Sequence, residues 1–239
     1  MEVQISRRSV VWDVLRDVLA ARAAQTGRDR LDVIDAGGGT GGFAVPLAAL
    51  GHYVTVVDPS PDSLAAAQRR AAEMDVRISA VQGEAADLDS VVGEQAADLV
   101  ICHSVLEYVD SPADALATIT GVLRPGGTVS VLASGVVAAV LHRALTGRFD
   151  EARALLQGTG PGSAGPRRFT LPGLTALIEA AGLTPGAAHG VEIFGGLVPS
   201  GLADADQGAA ESLRALEAAA ATYPALRDIA AKLHVLGRR

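Results

Sequence analysis

The residues that could do chemistry are concentrated in a glycine-rich segment, residues 35–42, which reads Asp-Ala-Gly-Gly-Gly-Thr-Gly-Gly. It follows a short apolar run, LDVIDA, and precedes the helix-like stretch FAVPLAALG. Glycines let a ligand approach the backbone closely, and the first turn of a helix offers free N–H groups. A second apolar run, YVTVVD, ends at Asp58, whose carboxylate can accept hydrogen bonds from ribose hydroxyls. The pattern predicts a site for a small polar ligand that contains ribose; a glycine-rich turn without a ligand is the alternative.

Metal chemistry is not expected from this sequence. Cys102 is the only cysteine, so an intramolecular disulfide and a thiolate cluster are both excluded. The five histidines, at positions 52, 103, 142, 189 and 234, are too scattered along the chain to indicate a zinc-binding pair. We therefore predict no metal.

Strand and helix signals alternate around the glycine-rich segment. An amphipathic helix over 9–24 precedes it, and apolar runs at 31–36, 53–58, 76–82, 97–105 and 128–134 are the predicted strands. Ser60 and Ser111, each followed by proline, are predicted to cap two of the intervening helices. The first two strands should be parallel, with a right-handed crossover. This alternation predicts an α/β fold with a doubly wound sheet.

The last third of the chain has a different organisation. Two short helices are predicted over 136–147 and 149–158, followed by the loop GTGPGSAGPRR, which we expect near the mouth of the pocket. A helix at 171–183, weak strand signals at AAHGVEIF and KLHVLG, and an alanine-rich helix near 208–221 complete the chain. We predict a single domain over 1–239, with an N-terminal helical segment (1–30), a cofactor-binding core (31–135), a small helical lid (136–170) and a C-terminal part of the sheet domain (171–239).

Composition and charge narrow the cellular setting and the partners. Hydrophobic residues make up 49% of the chain, yet no apolar run is long enough to span a bilayer and the N-terminus lacks the pattern of a signal peptide. We therefore predict a cytoplasmic protein with no membrane partner. The formal net charge of -7 argues against broad attraction to phosphate backbones, so DNA is not a predicted partner.

The glycine-rich segment is compatible with two cofactors. Gly37, Gly39 and Gly42 loosely fit the dinucleotide fingerprint, so an NAD-dependent oxidoreductase is one alternative. However, Asp35 stands two residues before the first glycine, and ADLVICHSVLEYV and LRPGG follow in order. Together these motifs, over residues 31–134, resemble the class I S-adenosylmethionine-dependent methyltransferases. The resemblance implies a Rossmann-like seven-stranded sheet, with S-adenosylmethionine as methyl donor and S-adenosylhomocysteine as product.

The same resemblance implies roles for individual residues. Asp58 would hold the ribose, and Gly37 and Gly38 would line the methionine end of the cofactor. Ala85 and Asp87, in GEAADL, would border the adenine; for Asp87 a surface turn is the alternative. The full predicted cofactor-binding set is Arg7, Asp35, Gly37, Gly38, Gly39, Asp58, Ala85, Asp87 and His103.

Three further stretches, CHSVLEYV, LHRALTGRFDEA and KLHVLGRR, resemble the bacterial tRNA 5-carboxymethoxyuridine methyltransferases. This family methylates the carboxylate of a modified wobble uridine. The resemblance implies that Arg7, five residues before Trp12, pairs with the cofactor carboxylate, as a planar guanidinium can do bidentately; an ordinary exposed arginine is the alternative. His103 would lie beside the cofactor, and we assign it to positioning because a carboxylate is already ionised at neutral pH and needs no base.

The acceptor site is predicted from fewer residues. Glu107 and Tyr108 are candidates to line it, although their apolar neighbours also fit a plain amphipathic helix. In the loop where the tRNA-modifying family would have a lysine-rich stretch, this chain offers Arg167 and Arg168. The acceptor is therefore either tRNA or a small molecule.

The predicted function is methyl transfer by in-line displacement, in which catalysis comes chiefly from proximity and orientation. The acceptor is the carboxylate of a tRNA wobble carboxymethoxyuridine, as the resemblance implies, or alternatively the carboxylate or hydroxyl of a metabolite. From another functional class, a non-catalytic module that binds adenosylmethionine is a further alternative.

Overall fold

A seven-stranded β-sheet with helices on both faces organises the chain in a computed structural model that describes residues 10–158, 166–198 and 207–239. The strands are β1 (Asp32–Ala36), β2 (Tyr53–Asp58), β3 (Ser79–Gln82), β4 (Ala97–His103), β5 (Leu123–Ser134), β6 (Thr184–Val191) and β7 (Lys232–Arg238). The helices are α1 (Val10–Thr26), α2 (Ala44–Ala49), α3 (Pro61–Glu73), α4 (Leu88–Val92), α5 (Pro112–Val122), α6 (Val136–Leu145), α7 (Phe149–Leu156), α8 (Leu171–Ala180), α9 (Gln207–Ala220) and α10 (Pro224–Arg227).

The strand order is β3-β2-β1-β4-β5-β7-β6. Strands β1 to β5 pair in parallel, whereas β7 lies antiparallel to both β5 and β6. The chain winds outward in one direction from β1 to β3 and in the other from β4, so the order reverses between β1 and β4. In open α/β sheets, ligands bind at the carboxyl ends of the strands beside such a point. The predicted α/β fold with a doubly wound seven-stranded sheet is confirmed.

Two apolar layers cover the two faces of the sheet. Alternate strand residues such as Val33, Val56 and Ile101 face α1, α2 and α3. Their neighbours, among them Ile34 and Val100, face α4, α5 and α8. Because a central parallel strand is covered on both faces, its sequence is apolar almost throughout. This explains why β1, β2 and β4 stand out in the sequence as runs of apolar residues.

The predicted helix starts at Ser60 and Ser111 are confirmed. Each serine hydroxyl accepts a hydrogen bond from a backbone amide in the first turn of its helix, and proline occupies the first helical position. Thr170 caps α8 in the same way. These caps satisfy amide groups that the helix itself leaves unpaired, which fixes where α3, α5 and α8 begin.

Several predicted strand boundaries were wrong, and one of them is the start of β5, which lies at Leu123 and not at residue 128. β3 begins at Ser79 and not at residue 76, because the Val76 amide instead donates to Ala71 at the end of α3. β4 ends at His103 and not at residue 105, because Ser104 has a φ of 57°, which no strand residue adopts. β6 spans 184–191 and not 187–194, because the chain turns at Glu192, whose φ is 58°.

The segment after β5 contains the two predicted short helices, α6 and α7, which pack against each other. Most of the loop that follows, residues 159–165, lies outside the described residues, as does Arg7. The assignment of 136–170 as a lid therefore stays a prediction. No helix in the described part of the chain is long and apolar enough to cross a membrane.

Candidate functional site

The glycine-rich segment forms the turn between β1 and α2, at the carboxyl end of the sheet. The Gly37 amide donates to the carbonyl of Val57 at 2.7 Å, which ties the start of the turn to the end of β2. The Gly39 amide donates to Asp58 Oδ2 at 2.9 Å. Two hydrogen bonds thus hold the turn against the end of β2, just before α2 begins.

Glycine is required at the first two positions of this turn for two different reasons. Gly37 has a φ of 71°, and a Cβ there would collide with the Val105 side chain. At Gly38 a Cβ would lie 2.6 Å from the carboxyl carbon of Asp35. The predicted loop residues Gly37, Gly38 and Gly39 therefore let the backbone approach the end of β4 and a buried acid closely.

Asp35 lies beneath the turn and is 3% exposed. Its Oδ2 atom is buried and has no hydrogen-bond partner within the described ranges. Burial, aided by the charge of Asp58 and opposed by a hydrogen bond from the Ala44 amide, raises the pKa of Asp35 to about 7. A buried carboxyl with a bare oxygen is costly unless a ligand completes it, so Asp35 is suited to bind a cationic group.

Asp58 ends β2 beside the turn, as predicted. Its two oxygens accept backbone hydrogen bonds from Gly39 and Ser60, both at 2.9 Å, so the carboxylate joins the glycine turn to the start of α3. Each carboxylate oxygen has a second lone pair, and these remain available to a ribose. The main chain of Asp58 also accepts from Gly83, which places the turn after β3 alongside it.

The turn after β3 contains Ala85 and Asp87, the predicted adenine neighbours. Ala85 is buried against the core that faces α5, whereas the Asp87 side chain is exposed. Its backbone oxygen accepts the Ser90 hydroxyl. The structure thus brings both residues to the carboxyl edge of the sheet next to Asp58, and their contact with adenine stays a prediction.

His103 ends β4 on the same edge. Its ring packs edge-on against Phe43 with centroids 4.7 Å apart, and Phe43 stacks on Trp12 at 5.2 Å. Its Nε2 atom hydrogen-bonds Ser130 Oγ at 2.7 Å, whereas its buried Nδ1 atom has no partner in the described part of the chain. Burial, with the charges of His234 and Lys232, holds the pKa of His103 well below its usual range. His103 is therefore a neutral imidazole close to the glycine turn.

Sequence reasoning missed the partners of His103. Ser130, His234 and His189 lie on β5, β7 and β6, and hydrogen bonds link their side chains to it in that order. The histidines are far apart in the sequence, so their spacing gave no signal. Their positions in the strand signals KLHVLG and AAHGVEIF were the only available clue, because antiparallel neighbours can place such residues side by side.

Glu107 and Tyr108, the predicted acceptor residues, lie in a turn, so the alternative of an amphipathic helix is wrong. Glu107 is 5% exposed, and its Oε1 atom accepts hydrogen bonds from the amide and the hydroxyl of Ser134, both at 2.8 Å. Its Oε2 atom is buried without a partner among the residues described. Tyr108 is 72% exposed. Of these two side chains, Glu107 is therefore the buried one.

The two arginines of the long loop have different environments. Arg167 is held by the turn after β4: its guanidinium donates to the carbonyls of Val109 and Asp110, and its amide donates to Glu107. Arg168 lines a cavity of about 220 Å³ beyond β5. Arg167 thus supports the Glu107 turn, while Arg168 is exposed at the wall of the cavity.

This cavity lies between α6 and the segment that follows β6. Mostly apolar side chains form its wall, and the polar exceptions are His142, Arg143, Arg168 and Glu192. Gly135, the residue after β5, forms part of its floor. It therefore adjoins the same carboxyl edge of the sheet as the glycine turn.

Cys102 is fully buried, and burial raises the pKa of its thiol to about 12. It packs in the core as a small apolar side chain, as the sequence indicated. Among the described residues there is no group of His, Cys, Asp and Glu side chains that could hold a metal ion.

Comparison with known proteins agrees with the resemblance to methyltransferases seen in the sequence. Residues 34–131 match the family model described as a methyltransferase domain. Over 150 residues the chain is 34% identical to tRNA 5-carboxymethoxyuridine methyltransferase of Escherichia coli K12, covering 62% of this chain and 56% of the relative. Over 148 residues it is 34% identical to the ubiquinone biosynthesis O-methyltransferase of Methylocella silvestris, covering 59% and 50%. The matches thus span about half the length of these curated relatives.

The fold is also shared with solved structures. An S-adenosylmethionine-dependent methyltransferase from Mesorhizobium loti superposes with a TM-score of 0.62, over 95% of this chain and 97% of that chain, at 22% identity. At this identity the likeness establishes the fold only.

The residues present fit S-adenosylmethionine, in which a methionine with an ammonium and a carboxylate group is joined to adenosine through a sulfonium. The bare oxygen of buried Asp35 suits the ammonium, and Asp58 at the end of β2 suits the ribose. A dinucleotide phosphate would instead bring negative charge next to two buried acids. Residues 34–131 of this chain therefore match a methyltransferase domain, and the chain has the class I methyltransferase fold.

Proposed function

We propose that the whole chain is an S-adenosylmethionine-dependent methyltransferase that methylates an oxygen atom of its acceptor. The observation that carries this proposal is the arrangement of Asp35, the glycine turn and Asp58 at the carboxyl edge of the sheet, within the matched domain. One of the matched relatives is named an O-methyltransferase, which supports oxygen as the acceptor atom.

The residues of the chain act mainly by orientation. Asp35 holds the ammonium, Asp58 fixes the ribose, and the glycine turn permits close approach between them. When bound, S-adenosylmethionine supplies an activated methyl group. A nucleophile held in line with that methyl reacts faster chiefly because the encounter is pre-organised. His103, Glu107 and Arg168 occupy the side of the site from which the acceptor would approach.

The first candidate acceptor is the carboxylate of a tRNA wobble carboxymethoxyuridine. The 34% identity to the tRNA 5-carboxymethoxyuridine methyltransferase supports it, as does Arg168, because a guanidinium pairs well with a carboxylate. A tRNA partner would also need local positive charge, since the chain as a whole carries a net charge of -7.

The second candidate is a small molecule with a carboxylate or hydroxyl group. The cavity supports it, because about 220 Å³ with mostly apolar walls suits the body of a small acceptor. Under either candidate the protein acts in the cytoplasm.

Thermal unfolding with S-adenosylhomocysteine, and in parallel with NADH, tests the donor. Ligand at about 100 times its dissociation constant should add roughly 2.7 kcal/mol of stability. We expect a rise in Tm with S-adenosylhomocysteine alone. A rise with NADH alone would refute the proposal.

Transfer of labelled methyl to unfractionated tRNA or to a mixture of small acids and phenols tests the acceptor and separates an enzyme from a binding module. A steep loss of activity between about 50 and 200 mM salt identifies tRNA, whereas salt-independent activity identifies a small molecule. Tight binding of S-adenosylhomocysteine with no methyl transfer to either would identify a non-catalytic module.

A further inference from the structure

Four side chains form a continuous line of hydrogen bonds across the sheet, on the face that carries α1. His103 Nε2 lies 2.7 Å from Ser130 Oγ, and the same hydroxyl lies 2.8 Å from His234 Nε2. His234 Nδ1 lies 3.2 Å from His189 Nδ1. The line starts at the carboxyl edge of β4, beside the glycine turn, and ends on β6.

The two ends of this line differ from its middle. Ser130 and His234 are both 0% exposed, whereas His189 keeps 8% of its surface exposed. At the other end, His103 Nδ1 is buried and lacks a partner in the ranges that the structure describes. An unpaired buried nitrogen is destabilising, so a purely structural histidine would not leave it bare. The bare atom is available to a molecule in the site.

If the hydrogen bonds run in one direction along the whole line, its donors and acceptors have two arrangements. Ser130 accepting from both rings would instead break the line. In the first arrangement His103 donates from Nε2 to Ser130, Ser130 donates to His234 Nε2, and His234 donates from Nδ1 to His189. His103 Nδ1 then has a free lone pair and no proton. If every bond is reversed, Nδ1 of His103 carries a proton instead. In both of these arrangements adjacent imidazoles are opposite tautomers, because a neutral ring has one donor and one acceptor nitrogen.

Burial first, and a cation at each end second, keep the imidazoles neutral. The Lys232 ammonium donates to Ser104 Oγ at 2.7 Å and lies close enough to His103 to disfavour its protonation. Burial and then the charge of Arg227 lower the pKa of His189, and burial lowers that of His234 to about 3. A proton that enters at one end therefore moves most easily if another leaves at the other end, since no ring then stays charged.

We propose that His103, Ser130, His234 and His189 form a proton relay that removes the hydroxyl proton of the methyl acceptor. The proposal rests on the proposed function and narrows it, because a carboxylate has no proton to lose: the acceptor is a hydroxyl-bearing molecule. It also gives His103 a role in proton transfer, where the sequence alone indicated positioning.

The transfer balances without a further reactant. The acceptor oxygen forms its bond to the methyl carbon while the sulfur–carbon bond breaks and its electron pair stays on sulfur. Nδ1 of His103 takes the hydroxyl proton and passes its Nε2 proton to Ser130. Ser130 passes its own hydroxyl proton to His234 Nε2, and His234 passes its Nδ1 proton to His189 Nδ1. His189 releases a proton to solvent from Nε2.

Long-range ¹H–¹⁵N NMR of histidine-labelled protein with S-adenosylhomocysteine at pH 7 tests the relay without any acceptor. We expect His103, His234 and His189 to be neutral and to alternate in tautomer. The Ser130→Ala variant should uncouple His103 from His234. His52 is the internal control, because its Nδ1 accepts the Leu31 amide and its tautomer should not change. A charged His103, or the same tautomer at His103 and His234, would overturn the relay.

Turnover of the acceptor found in the transfer assay tests the chemistry. Ser130→Ala should lower kcat by roughly 100-fold, the contribution typical of proton transfer, with the affinity for S-adenosylhomocysteine unchanged. Thr128→Ala is the matched control, because Thr128 lies two residues earlier on β5 and outside the relay. A methyl ester product, or a Ser130→Ala kcat equal to that of the parent, refutes the relay. Failure to bind S-adenosylhomocysteine at all would instead count against the proposed function.

Discussion

The two ends of the parallel strands both contain buried acids, but only one end pairs them completely. At the amino end, Asp98 has a fully buried side chain and accepts hydrogen bonds from Arg22, Arg28, Arg124 and the Asp32 amide. Burial alone would raise the pKa of Asp98, but the Asp32 amide and the arginines together lower it. At the carboxyl end, Asp35 has no arginine partner within the described residues, and burial raises its pKa.

The same contrast holds for every buried side-chain atom that lacks a partner in the described part of the chain. These atoms, Asp35 Oδ2, His103 Nδ1 and Glu107 Oε2, all lie at or just beyond the carboxyl ends of β1 and β4. Buried polar groups in proteins are normally paired, so incomplete pairing at one edge marks the place where a ligand completes the network. The amino end therefore stabilises the fold, whereas the carboxyl end has buried polar atoms that a ligand could pair.

The largest expected effect is on stability at the amino end. Asp98→Asn removes the charge that three arginines share, and loss of one partner from a buried ion network typically costs about 3–5 kcal/mol. Urea unfolding should show this loss, while the fraction that stays folded binds S-adenosylhomocysteine normally. Asp75→Asn, at an exposed position with a φ of 52° that suits asparagine, is the control. Equal stability of the two variants would contradict a structural role for the amino end.

At the carboxyl end the expected loss is in binding. Asp58→Ala removes the acceptor for ribose and the anchor of the Gly39 amide, and should weaken S-adenosylhomocysteine by about 100-fold, or roughly 2.7 kcal/mol. Isothermal titration calorimetry measures the affinity, with exposed Asp89→Ala as control. An affinity within the error of the parent would remove Asp58 from the site.

Asp35→Asn should separate stability from binding. The folded-state pKa of Asp35, about 7, is above its ordinary value of 3.8, so its contribution to stability is fully present below pH 4 and is lost as the pH rises through 7. Without the charge, the variant should be more stable than the parent at pH 8, by on the order of 2 kcal/mol, and similar at pH 4 to 5. Its affinity for S-adenosylhomocysteine should nevertheless fall, because the ammonium loses its counter-charge. A variant that is less stable than the parent at pH 8 would show that Asp35 is paired after all.

The smallest effect comes from a matched pair of helix caps. Ser60→Ala and Ser111→Ala each remove one hydroxyl that accepts a first-turn amide, at a cost of about 1 kcal/mol. The backbone amide of Ser60 also donates to Asp58, and alanine keeps this amide. Because loss of the cap loosens the backbone that holds it, only Ser60→Ala should weaken S-adenosylhomocysteine binding, by a few-fold. Equal binding by both variants would mean that the cap of α3 does not help to position Asp58.

Much of the fold was predictable because its signals are local. Apolar runs marked the central strands, and serine–proline pairs marked where α3 and α5 begin. The boundaries that were wrong depend on single backbone conformations, such as the positive φ of Ser104, which nothing in a serine predicts. The grouping of Asp35, the glycine turn and Asp58 was predictable for the same reason: they lie within one βαβ unit, where about twenty residues fix their geometry.

The sequence by itself determined the doubly wound sheet and the edge at which Asp35, the glycine turn and Asp58 lie together. Only the tertiary structure decided which acids are paired, and only it brought His103, Ser130, His189 and His234 together. The physical reason is that pairing across β4, β5, β7 and β6 joins residues that are 27, 104 and 45 positions apart in the sequence. Their contact depends on strand order and register, which no local pattern of residues encodes.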